Sequence, residues 1–110
     1  MNELAARILR GDILKTLYYQ GAFRAEAAVG SFLLWSALRE AGHSEEGEPL
    51  SRAALEGFVD ELAGRGLLRK TVPSALGRLL TDYELHLTRK GRGLLEGALP
   101  GSPDILIGEL

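Results

Sequence analysis

"LSRAALEGFVDELAGRGLL", residues 50–68, is the stretch that decides the fold. Ser51 is a good N-cap, and Leu50 before it is placed to pack on Leu55 as a hydrophobic staple. From Arg52 onward, Leu55, Phe58, Val59 and Leu62 recur at helical spacing. Gly64 or Gly66 ends the helix. "LLRKTV" (67–72) follows with the composition of a strand. The spacing therefore predicts a short amphipathic helix running straight into a strand.

The elements on either side follow from this junction. Pro73 to about Thr81 contains Pro, Ser and Gly77 and reads as a turn or loop. "DYELHL" (82–87) alternates, with Tyr83, Leu85 and Leu87 on one face and Glu84 and His86 on the other. Two strands around a loop make a hairpin. Thr88 caps a last helix, "RKGRGLLEGAL". Upstream, residues 3–20 read as a helix through Leu9, Ile13 and Leu17, with Gly11 as the point where it would break. A second helix is expected over about 25–41. Val29, Phe32, Leu33 and Leu38 form its apolar face, with Trp35 on or beside it. "GHSEEGEP" (42–49) is a polar loop. The order is helix, helix, helix, strand, loop, strand, helix. One domain spans 1–99, followed by a Pro- and Gly-containing tail, 100–110, with an apolar end.

Composition narrows the function. Apolar residues make up 45 % of 110 positions, enough for one core. Leucine fills 22 positions and aromatics only 6 %, which favours helices over a sandwich or barrel. There is no cysteine, so zinc ribbons and thiol catalysis are excluded. The charged N-terminus lacks a signal-peptide core. The run at 27–38 is shorter than the roughly 20 residues that span a bilayer. A cytoplasmic, membrane-free protein is expected. His43 and His86 lack partners at metal-ligand spacing. No G-x-S-x-G or P-loop is present. No enzyme, cofactor or metal is therefore expected.

Two motifs carry a resemblance. Leu62-Ala-Gly-Arg-Gly66-Leu67-Leu68 and Leu87-Thr88-Arg-Lys-Gly91-Arg-Gly-Leu94 resemble the helix end and post-hairpin helix of bacterial winged helix-turn-helix proteins. The layout from Ile13 to Pro103 is also similar to small winged-helix proteins encoded by Mu-like phages and prophages. Shared features are Ala37–His43, the Leu-Ser before the third helix, and the Pro-Gly tail. The resemblance implies a mainly α fold with three helices, a two-stranded wing and a C-terminal helix. It also implies a small, dimeric transcriptional regulator bound to double-stranded DNA.

Charge divides the expectations. Residues 40–61 hold seven acids against Arg52 alone. Residues 64–93 hold seven bases against Asp82 and Glu84, within a net charge of −2. For DNA, Ser51 and Arg52 would sit at the groove. Arg69, Lys70 and Arg78 would meet phosphates from the wing, with Arg89 and Lys90 beside them. Glu56 and Asp60, however, occupy the outward face of the third helix, where base readers carry Arg, Lys, Asn or Gln. Leu76 and Leu79 make the wing loop unusually apolar. Those four residues fit the alternative, a non-catalytic module that binds protein or a second copy through its acidic helix and leucine-rich wing.

Overall fold

The computed structural model describes residues 1–21, 27–72 and 83–108. Its elements are α1 (Glu3–Gln20), β1 (Ala28–Gly30), α2 (Ser31–Glu40), β2 (Ser44–Glu45), β3 (Glu48–Pro49), α3 (Arg52–Gly64), β4 (Leu68–Thr71), β5 (Glu84–Leu87) and α4 (Arg89–Leu95). β1, β5 and β4 form one antiparallel sheet in that spatial order. The expected mixture of helices with a hairpin after α3 is present. The expected loop at 73–81, with Leu76, Arg78 and Leu79, lies outside the described residues.

Local chemistry explains the junction after α3. The Ser51 hydroxyl accepts from the Ala54 backbone N–H at 3.1 Å. Leu50, Leu55, Val59 and Leu62 are all buried in one core. At the other end, the Gly66 N–H donates to the Ala63 carbonyl and the Leu67 N–H to that of Leu62. This is a Schellman closure, and it places Gly66 at φ +75°. Only glycine adopts that conformation without strain, so the helix stops there and β4 begins. Thr88 then caps α4 by accepting from the Gly91 N–H at 3.0 Å. A Cβ on Gly91 would overlap the Leu67 carbonyl, so this glycine lets α4 press directly onto the chain entering β4.

Several expected features differ in the structure. The second helix begins at Ser31 and not near residue 25. Residues 28–30 instead pair with β5, Val29 opposite Leu85, because β5 offers an unpaired edge. That later start also re-phases the helix. Leu34 and Leu38 are buried, while Phe32 and Leu33 are 47 % and 49 % exposed. His86, expected on a solvated strand face, is buried and lies 3.0 Å from the Thr71 hydroxyl. The polar loop at 42–49 is more ordered than expected. β2 and β3 close a two-residue turn at Glu46 and Gly47, both with positive φ.

α1 is continuous through Gly11 because that position packs against another segment of the chain. A Cβ there would overlap the Leu106 carbonyl, and the Leu106 N–H donates to the Arg7 carbonyl at 3.0 Å. Ile105 enters the core beside α1. Arg10 donates to the Asp104 carbonyl at 3.0 Å and pairs with Glu61 at 2.7 Å. Arg65 reaches Asp104 at 2.7 Å and Ser102 at 2.9 Å. Residues 102–107 thus form a strap that ties α1 to the end of α3.

Gly11 and Gly57 are both helical, but nothing lies near a Cβ at Gly57. Gly57→Ala is expected to stabilise the protein by about 0.5–1 kcal/mol. Gly11→Ala is expected to destabilise it by about 1–3 kcal/mol despite the same gain in helix propensity. Urea unfolding of both variants checks the contrast. The hydrogen bond from Ser102, with Arg65 behind it, holds the Asp104 carboxyl below the usual range. A depressed carboxylate stabilises the fold above its unfolded pKa, and that contribution disappears as pH falls through the folded value. The stability gap between the protein and Asp104→Asn is therefore expected to be full at neutral pH. It should close below about pH 4, which unfolding at stepped pH would detect.

Candidate interaction surface

The outward face of α3 carries Glu56 and Asp60, one helical turn apart, with side chains 48 % and 64 % exposed. β4 runs back along this helix. Lys70 lies in the same register as buried Leu68 and opposite Leu85, so its stem is drawn inward. Its ammonium is 3.1 Å from Glu56, 3.6 Å from Asp60 and 4.3 Å from the Tyr83 ring centre. Burial works against that charge. The hydrogen bond to Glu56 and the charge of Asp60 oppose it, and the net result lies above the usual lysine value. The Tyr83 phenol is also raised, first by burial and then by Glu56.

A second cluster adjoins the first. Arg52 at the start of α3 donates to the Ser31 hydroxyl at 3.2 Å. Its guanidinium lies 4.2 Å from the Phe32 ring centre and 5.7 Å from that of Trp35. Arg39 covers Trp35 at 4.7 Å, and the two rings meet edge to face. The Trp35 indole N–H donates to the Leu50 carbonyl at 2.8 Å. Ser31 is wholly buried and also accepts from the Tyr83 N–H at 3.2 Å.

The structure thus brings together Lys70 with Glu56 and Asp60, and places Arg52 beside them on aromatic rings. Ser51 is engaged as a cap and also donates to Glu45 at 2.9 Å. Arg69 is exposed on the opposite face of β4, in register with His86. Arg89 is exposed at the first position of α4, and Lys90 donates to the Arg65 carbonyl at 2.9 Å. Arg78, Leu76 and Leu79 lie outside the described residues. Sequence reasoning missed Phe32 as a member of this surface, and buried Ser31 and Tyr83 as its support. One signal for the Lys70 pairing was present. Alternation in β4 puts Lys70 on the apolar register, where a lysine needs carboxylates within reach.

Among the described residues, no group of His, Asp or Glu could hold a metal ion, and no helix is long and apolar enough to cross a membrane. Compared with models of known families, with curated proteins and with solved structures, the chain matches none.

Lys70→Met keeps the apolar stem over Tyr83 and removes the charge. It is expected to cost about 0.5–1 kcal/mol at low ionic strength. In 1 M salt, where screening acts within about 3 Å, most of that cost should vanish. Paired unfolding curves at the two salt concentrations measure the difference.

Proposed function

We propose that this chain is a non-catalytic, cytoplasmic interaction module on a winged-helix fold, and that the outward face of α3 binds a protein surface carrying basic residues. The element order supports the fold. A strand precedes the second helix, the third helix runs into a hairpin, and the first strand lies beside the last. One observation carries the function: the carboxylates of Glu56 and Asp60 hold Lys70 on the face of α3 that would have to enter a major groove. Glu56 and Asp60 against the Lys70 ammonium leave one negative charge at the middle of that face, with Arg52 at its edge, and phosphates meeting the middle would be repelled. Arg52, the cation best placed for bases, is turned onto Phe32 and Ser31. A basic protein partner meets both conditions, because it gains from the remaining negative charge and needs no base-reading side chain.

A small DNA-binding regulator is the second reading. Arg69 and Arg89 favour it, being exposed and outside the Glu56–Lys70 cluster. Fluorescence anisotropy with a generic labelled duplex separates the two, since DNA binders keep a non-specific affinity on the order of 10⁻⁴–10⁻⁶ M at physiological salt. The proposal expects no saturable binding even at low salt. Salt-steep binding that is lost in Arg69→Glu/Lys70→Glu would overturn it in favour of DNA.

A further inference from the structure

We propose that the hollow between the end of α3, the entry to β4, α4 and residues 99–102 binds a small monocarboxylate with a compact apolar body. The hollow is independent of the Glu56–Lys70 cluster. It is half open to solvent and offers about 260 Å³. A dry cavity of about 150 Å³ accepts benzene, so this one has room for a six-membered ring and a carboxylate. Leu67, Leu94 and Leu99 supply its apolar walls, and Arg65, Lys90 and Ser102 its polar rim. Leu67 and Leu94 belong to the main core, so the floor is fixed by packing. Leu99 closes the side by lying against Gly93, where a Cβ would stand 3.4 Å from it.

The rim selects the charge. Asp104 neutralises Arg65, and Ser102 orients it. Lys90 has no acidic partner among the described residues. Among the described residues its ammonium contacts the Arg65 carbonyl, which takes one of three N–H groups. The hollow therefore presents a single uncompensated positive charge above an apolar floor. A monoanion satisfies both features. A neutral apolar molecule gains only the walls. A dianion brings a second charge with no partner close to the Asp104 carboxylate. A free aromatic acid and the terminus of a peptide chain share this chemistry.

The test is titration of the ¹⁵N-labelled full chain, followed by amide shifts, with benzoate, benzyl alcohol and N-acetyl-leucine. Benzoate or N-acetyl-leucine is expected to saturate with a Kd on the order of 1 mM and to shift Leu67, Gly91 and Leu94. Saturation by benzoate alone assigns a free aromatic acid, and by N-acetyl-leucine alone a chain terminus. Benzyl alcohol should bind about 10-fold more weakly or not at all. Lys90→Met keeps the stem and should weaken carboxylate binding about 10-fold. Arg89→Met removes a neighbouring charge and should change it less than about 2-fold. A native-like amide spectrum of each variant separates lost binding from lost folding. The proposal is overturned if neither acid saturates, if benzyl alcohol matches the acids, or if the two variants behave alike.

Discussion

Buried Ser31 joins three elements at one point. Its backbone N–H donates to the Tyr83 carbonyl at 2.8 Å, while its hydroxyl oxygen accepts from the Tyr83 N–H and from Arg52. The start of α2, the entry to β5 and the start of α3 therefore meet at one atom group. α2 has no side-chain cap of its own, since Gly30 occupies that position. Its first N–H would be orphaned without Tyr83. Once Ser31 and Tyr83 are paired, β1 lies along β5 and Arg52 is directed onto Phe32. Lys70 then reaches Glu56 and Asp60 across the Tyr83 ring. The orientation of the surface around α3 follows from that junction.

The same junction changes how the charge segregation in the sequence is understood. An acidic block followed by a basic block looks like two patches offered to two partners. In the fold one cation of the basic block meets the acidic block, and other members of each block pair with residues outside both. Lys70 meets Glu56 and Asp60, Arg10 meets Glu61, and Arg65 meets Asp104. Each pair is partly exposed and contributes little alone. Together they draw cations away from the positions where a groove binder would need them.

What could be read in the sequence was local. The Ser51 cap, the Leu50–Leu55 pair, the glycine at 66 and the Leu-Thr-x-x-Gly turn into α4 all act within a few residues. Their physics needs no knowledge of the rest of the chain. β1 was not legible, because three residues carry no periodicity and the strand exists only where β5 leaves an edge. The phase of α2 depends on it, so the apolar face expected to include Phe32 and Leu33 is half exposed at those two residues. The partners of Lys70 and Arg52 depend on how β4 and α2 lie against α3. The sequence pattern hinted at that arrangement but did not determine it. The hollow beside Lys90 is formed where residues 65–67 meet residues 90–102, and had no sequence signature.

The strap at residues 102–107 bears on the order of events during synthesis. Gly11 leaves a bare stretch of α1, and the chain around Leu106 fills it. Arg7 and Leu106 stand at nearly opposite ends of this sequence, yet their backbones are bonded. A nascent chain that already contains α1, the sheet and α4 still has an open seam where Ile105 belongs. Non-local contacts of this kind are slow to form and leave apolar surface exposed in the meantime. α1 is thus among the last of these elements to be fully packed. Until residues 105–107 have emerged, that seam exposes apolar surface of the kind that chaperones cover.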